Sequence, residues 1–453
     1  MPLVAHSAGT PMIRRIPAFA VFLAVSGMLN AATDRERIAD LEARIKLLEA
    51  ETAILKTRAE QASAAAESAR TAIDEPKNSQ ARPQSVMAEP AEPESDVHGA
   101  HGANAFNPEL LLVLNGSYQS HSLDPAIYRR SGFAALADTG PNDRGFTLGG
   151  SELSLSSNID DKFFGQMTVA FRDDGTRVME AYIETLTLPK GFSLRAGRFF
   201  SNIGSLNSRH THTDSFYDRP LPYQSLLANQ YRDDGMQVRW VAPTDLYLEL
   251  GAEIFAGNRF PAGGGAGNGI GSQTLFAHIG GDVGLENAWL AGVSMLNADT
   301  DGNEEGFSGD ARLYIADATW KWAPQGNFKD GGFTLRGEYF LDQRDGVFTD
   351  PDNTAITALW NGNRRGAYLE GIYRFSRHWE TGYRFDRLWS DDQGPYAADY
   401  DPARHSFVLA WRNSEFSLFR LQLSRDKPTA DTVDNAVYMQ YQTSLGAHGA
   451  HKF

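Results

Sequence analysis

Histidine carries most of the metal chemistry open to this sequence, because it contains no cysteine. His210-x-His212-x-Asp214 sets two imidazoles and a carboxylate on alternate residues. In extended backbone such residues project on one face, bringing together a donor set suited to a borderline divalent ion such as Zn²⁺. A plain polar loop accounts for the same residues. His-Gly-Ala-His occurs twice, as His98 with His101 and as His448 with His451, and four imidazoles meeting at one place would hold Zn²⁺ or Cu²⁺. Here the plainer reading is a linker at one end and part of an assembly signal at the other. Serine, histidine and aspartate are plentiful, but no nucleophile elbow organises them into an enzyme constellation. The pattern requires no cofactor, and Zn²⁺ is its candidate ion.

The whole chain excludes several classes. Its 453 residues carry 42 Lys+Arg against 57 Asp+Glu, a formal charge of −15, which argues against a nucleic-acid partner. No apolar run reaches the ~18 residues of a membrane-spanning helix. Without cysteine there is no disulfide framework, no thiolate metal site and no lipid-anchored N-terminus.

Three segments precede the main body. Arg14-Arg15 followed by the apolar stretch 16–29 predicts a secretory signal peptide over 1–31. Residues 32–61 then carry heptads, with Ile38 and Ile45 at a, Leu41, Leu48 and Leu55 at d, and charges flanking them. Such a seam predicts a coiled coil and self-association; Ile at a with Leu at d leans towards dimers in isolated peptides, and a large attached body can dictate a trimer. A single amphipathic helix packed on the protein itself is the alternative. Residues 62–105, rich in alanine and then proline, read as a disordered linker.

From 106 to 453 the unit changes to segments of about ten residues with every second one apolar or aromatic. Leu246, Leu248, Leu250, Ala252 and Ile254 alternate with Tyr247, Glu249, Gly251 and Glu253. Phe333, Leu335, Gly337, Tyr339 and Leu341 do the same against Thr334, Arg336, Glu338 and Asp342. Period two is the signature of a strand with one apolar face. Export, aromatic segment ends and polar faces bearing both Arg and Glu predict an all-β transmembrane antiparallel barrel with a polar lumen. The segments number about sixteen, joined alternately by short turns and longer loops. An even count places both ends of the barrel, and with them the coiled coil, in the periplasm.

The longest connection, 201–234, carries Arg209, His210, His212, Asp214, Asp218, Arg219, Arg232, Asp233 and Asp234 beside Phe216, Tyr217 and Tyr223. Its position resembles that of the third outer loop of general porins, which folds into the lumen. An in-folded loop needs an apolar side for the wall and a charged side for the pore, and charge at a constriction tunes ion selectivity. The rival reading is an outward surface loop. The last segment, with Tyr441 and Leu445, runs to a terminal Phe453, and this resembles the signal by which outer-membrane barrels engage their assembly machinery.

Three stretches carry a family resemblance over 98–453. They are Phe106-Asn107-Pro108-Glu109 leading to Leu111, Val113, Asn115 and Gly116; Asn229 to Gly235 with Pro243-Thr244-Asp245-Leu246; and Ser444 to Phe453. They resemble a proteobacterial outer-membrane family labelled "TonB-dependent receptor" or "zinc-regulated outer-membrane receptor". Receptors of that name hold a plug of over a hundred residues in a 22-stranded barrel, and 32–105 are too few and the wrong composition for one. In architecture the chain is closer to phosphate-selective porins. The resemblance implies a channel in the outer membrane of a Gram-negative bacterium, passing small hydrophilic solutes passively and linked to divalent metal uptake. Its rivals are an energy-coupled metal receptor and a tether from outer membrane to cell wall. Outer-membrane lipid, other copies of the chain and the barrel assembly machinery are the expected partners, with the cell wall added on the tether reading.

Overall fold

Alternating residues give each extended segment two unlike faces and two unpaired backbone edges, which no strand satisfies alone. In this computed structural model, which describes Lys46 and residues 108–446 apart from 137–138, 173–174, 264–268 and 392–393, the segments pair side by side into one antiparallel sheet. Apart from Lys46, the signal peptide, coiled coil and linker lie outside the described residues, as do His98, His101, His448, His451 and Phe453.

The strands are β1 (Glu109–His121), β2 (Gly145–Thr147), β3 (Ser151–Asn158), β4 (Phe163–Arg172), β5 (Gly175–Thr185) and β6 (Phe192–Phe200). After the long loop come β7 (Arg232–Val241), β8 (Tyr247–Phe255), β9 (Ser272–Val283), β10 (Asn287–Asp301), β11 (Phe307–Trp322) and β12 (Gly332–Thr349). The wall is completed by β13 (Thr357–Arg374), β14 (Trp379–Trp389), β15 (Ala403–Ser414), β16 (Ser417–Lys427) and β17 (Asp434–Gly446). Each pairs with its neighbours in chain order, and β1 closes the ring on β17, from Leu111 opposite Gly446 to His121 opposite Ala436.

The alternation count holds at sixteen staves, because β2 and β3 share one place beside β1. They are separated by Gly149 and Gly150, both at positive φ, and the Asn115 side chain bridges the break by donating to the Gly149 carbonyl at 2.7 Å. The boundary at residue 235 moves. β7 begins at Arg232, so the long loop is 201–231, and Arg232, Asp233 and Asp234 belong to the wall.

Strand alternation now separates outside from inside. The exposed large side chains of the wall include Leu250, Leu275, Val293, Leu369 and Leu423. Aromatic residues follow the register around the short-turn end: Trp289 faces Trp320, Trp322 faces Phe333, and Trp379, Trp411, Phe419 and Tyr441 lie opposite one another in turn. Towards the long-loop end, Tyr118 packs on Phe146 at 5.1 Å and Tyr339 on Trp389 at 6.3 Å. An apolar band between aromatic girdles is the exterior of a barrel built to stand in lipid. Tyr441 thus takes a girdle position, and Leu445 shares its exposed face.

Inside, Asn115, Gln119, Glu152, Glu253, Arg336, Glu370, Arg384 and Arg420 are all buried, as expected of the polar face. One sector differs. On β10 to β14 the inward residues Leu296, Leu313, Ile315, Phe340 and Leu388 are apolar and form a core with Ile203, Leu206, Leu221, Tyr223, Leu226 and Leu227 of the long loop.

The band makes a depth-dependent prediction. Val293 sits midway along the outward apolar run of β10, whereas outward neighbours of Leu359 on β13 include Asn361 and Asn363. Val293→Arg should destabilise the barrel in lipid vesicles by about 2–4 kcal/mol and Leu359→Arg by under about 1 kcal/mol. Equilibrium unfolding by urea would measure both, and equal costs would place the band wrongly.

Candidate functional site

The long loop 201–231 enters the lumen and is held there from nearly every side. It leaves β6 through Ser201 and Asn202, whose backbone N–H donates to Glu253 of β8 at 3.0 Å. Gly204 follows at φ +62°, where an added Cβ would lie 2.5 Å from Glu338 Oε2 and 2.7 Å from the Tyr223 hydroxyl. Only glycine lets the backbone pass so close to the wall. Ser205 then donates to Glu338 of β12 from both its N–H, at 3.1 Å, and its hydroxyl, at 2.7 Å.

A single 3₁₀ turn, Thr211–Thr213, brings His210 and His212 against the opposite wall. His210 Nδ1 lies 3.0 Å from Glu152 Oε2 of β3, and its Nε2 lies 2.8 Å from Glu180 Oε2 of β5. His212 Nδ1 approaches the same Glu152 oxygen at 3.1 Å. The Phe200 ring packs edge-on to His210 at 5.4 Å. Burial works against the imidazolium, but Glu152 and Glu180 outweigh it and hold the His210 pKa up at about 10.

Beyond the turn, Tyr217 stacks on Tyr438 of β17 at 4.7 Å and its hydroxyl lies 3.1 Å from Ser117 Oγ of β1. Asp218 meets three strands at once. Arg384 of β14 contacts it at 2.9 Å, Arg404 of β15 pairs with its other oxygen, and Gln422 of β16 donates at 2.8 Å. Burial pushes the Asp218 carboxyl up, but Arg404 and Arg384 outweigh it and bring its pKa down to about 2. The buried helix α1 (Leu221–Leu227) completes the crossing, with the Leu221 N–H donating to Asp386 of β14 at 3.1 Å and the Tyr223 hydroxyl to Glu338 at 3.0 Å.

On the short-turn side of the loop lies a cavity of about 680 Å³. Arg209, His212, Thr213 and Ser215 form its loop side, facing Lys321, Arg336, Arg374, Arg412 and Glu380 of the wall. Burial pulls the Arg209 pKa down to about 10, and Arg336 pushes the same way.

The expected site residues therefore part company. Arg209, His210, His212 and Asp218 are in the lumen at the loop-to-wall contacts. Asp214 does not join the histidines. It pairs with Arg219 at 2.6 Å inside the loop, because the 3₁₀ turn between 210 and 214 breaks the extended geometry that would align them. Arg219 also donates to the Leu206 and Arg209 carbonyls at 2.7 Å, so it shapes the loop rather than facing a pore. Arg232 lies over the Phe200 ring, and Asp233 accepts from the Asn258 N–H at 2.7 Å. Asp234 leaves the constriction altogether: strand alternation turns it to the outer face, where it is 51 % exposed and pairs with Arg198. Glu152, Glu180, Arg384, Arg404 and Arg420 escaped the sequence reading, and Glu338 entered it only as one residue of a polar strand face. Their only signal was an inward place on a strand, which they share with many residues.

No family model matches the chain. It is 28% identical over 387 residues to an uncharacterized protein of Aquifex aeolicus (strain VF5), covering 77% of this chain and 80% of that one. Among solved structures it is similar to in-vitro folded OmpT of Vibrio cholerae in its trimer form, at a TM-score of 0.49 and 11% identity, over 75% of this chain and 99% of that chain. DcaP, an outer membrane channel of Acinetobacter baumannii, gives 0.48 and 13%, over 75% and 97%. An anion-selective porin from Comamonas acidovorans gives 0.49 and 12%, over 75% and 99%.

Asp218 supplies a pH prediction. A free aspartate titrates near ~3.9, whereas the folded one stays ionised down to about 2. Its contribution is therefore complete above about pH 4 and lost as the pH falls through about 2. Asp218→Asn takes one carboxylate from two buried arginines, which keep Asp386 and Asp426, and should weaken loop anchorage by about 2 kcal/mol at pH 6. Hydrogen exchange of the loop amides in both proteins would measure this, and the difference should shrink steadily between about pH 4 and about pH 2. A constant difference across that range would remove Asp218 as the anchor.

Proposed function

We propose that this protein is an outer-membrane channel for passive diffusion of small hydrophilic solutes, narrowed by residues 201–231. The observation that carries the reading is the pairing of an apolar, girdled exterior with a polar lumen across which a long loop is pinned from within. A barrel serving only as an anchor needs the exterior alone; it has no use for buried charges such as Arg384 and Asp218 holding a loop across its centre. The cavity beside Arg209, Arg336, Arg374 and Arg412 supports a water-filled path on the periplasmic side, with its walls charged. Heptads over 32–61 add assembly into trimers to this reading, with the seam on the periplasmic side.

Purified protein added to a planar lipid bilayer should produce discrete, ohmic conductance steps. Deleting 206–230 should enlarge each step severalfold and change the ratio of cation to anion permeability. A folded barrel with no steps at all would defeat the channel reading. Unchanged steps after the deletion would defeat the constriction while leaving the channel.

A further inference from the structure

We propose that Glu152, His210 and His212 form a divalent transition-metal site that latches the in-folded loop to the barrel wall. Three things about this cluster go beyond an ordinary hydrogen-bonded contact. First, one ligand atom from each residue lies within 4.8 Å of the other two. Glu152 Oε2 stands 3.0 and 3.1 Å from the two Nδ1 atoms, close to the ~3.4 Å edge of a tetrahedron around an ion with bonds of ~2.1 Å. The third edge, between the two imidazoles, is within 4.8 Å, so the rings must close on one another by up to about 1.4 Å to seat such an ion.

Second, Glu180 accepts from the far nitrogen of His210 at 2.8 Å. A carboxylate in that place fixes the tautomer that leaves Nδ1 free for a metal, and histidine ligands of zinc commonly have such a partner. Glu180 is thus a positioning residue. Third, His212 also lines the cavity of about 680 Å³, which gives an ion an aqueous approach from the short-turn side. Two imidazoles and one carboxylate with an open position suit Zn²⁺ better than Ca²⁺ or Mg²⁺, which prefer all-oxygen sites.

An ion at these residues would latch the loop whether or not the barrel conducts. Its consequence is mechanical: the ion would join the loop, through His210 and His212, to β3, through Glu152, on the far side of β17 and β1 from the Asp218 anchor on β14 to β16.

The test uses the full-length folded protein, stripped with a chelator and titrated with Zn²⁺ by calorimetry at pH 7.5. The wild type should bind one ion with high affinity and gain thermal stability from it. His210→Ala with His212→Ala should weaken that event at least a hundredfold, and Glu152→Gln, which keeps the shape of the side chain, should do so without disturbing the fold. Glu180→Gln should weaken zinc binding about tenfold, and Glu180→Asp, which keeps the carboxylate, should restore most of it. His98→Ala with His101→Ala should leave the event intact. Absence of zinc binding in the wild type, retention of it in both the histidine and Glu152 variants, or its loss in the His98 and His101 variant alone would each overturn the proposal. Should the histidine variant fail to fold, X-ray absorption on zinc-loaded wild type decides between two imidazole ligands, as expected, and an all-oxygen or four-imidazole shell, which would refute the site.

Discussion

Closure of β1 onto β17 is the constraint from which the rest of the molecule follows. In hydrocarbon an unpaired N–H or carbonyl has no water to turn to, so a sheet crossing lipid must have no edges. The ladder from Leu111–Gly446 to His121–Ala436 removes the last two. Once the sheet is closed, period-two alternation permits only two environments, and each strand must present one face to each. Leu, Val and aromatic side chains go outward, and Glu, Arg, Gln and Ser are enclosed.

Closure also creates a difficulty that alternation does not solve. Sixteen staves enclose more space than inward side chains fill, and inward carboxylates and guanidiniums need partners when water is thin. The loop 201–231 answers both needs. Its apolar residues, Ile203, Leu206, Leu226 and Leu227 among them, pack on the apolar sector of β10 to β14. Its polar residues meet wall charges elsewhere: Ser205 and Tyr223 at Glu338, Asp218 at Arg384 and Arg404, His210 at Glu152 and Glu180. Because these contacts reach different sectors of the ring, the loop is suspended across the lumen and does not lie along one side of it. That suspension links the architecture to the channel reading, since whatever crosses the barrel must pass the loop.

The two ends of the crossing differ in chemistry. Asp218 sits between fixed guanidiniums, a contact that changes only in strong acid. The histidine end pairs carboxylates with imidazoles, groups that exchange a shared proton for a metal ion without rearranging the backbone. A loop with one permanent and one exchangeable attachment is fixed at one end and adjustable at the other, and the proposed ion would act at the adjustable end.

How much of this was legible in the sequence follows from what each pattern depends on. The sixteen staves, their order and the identity of the long loop depend on local alternation and turn residues, which are properties of consecutive positions; they were readable, although β7 starts three residues and β13 seven residues before the alternation placed them. The apolar sector had a partial signal in Leu313-Tyr314-Ile315-Ala316 and Tyr339-Phe340-Leu341, where both faces of a strand are apolar. The partners of the loop had almost none. His210 and His212 stood out as candidate ligands, but the carboxylate they meet is Glu152, 58 positions away from His210, and not Asp214. Strand pairing fixes which residues face inward, but the meeting of a loop with one inward residue among dozens depends on how the whole ring curves and where the loop's apolar side finds its core. That choice is made by packing across the lumen, so only the tertiary structure decided it.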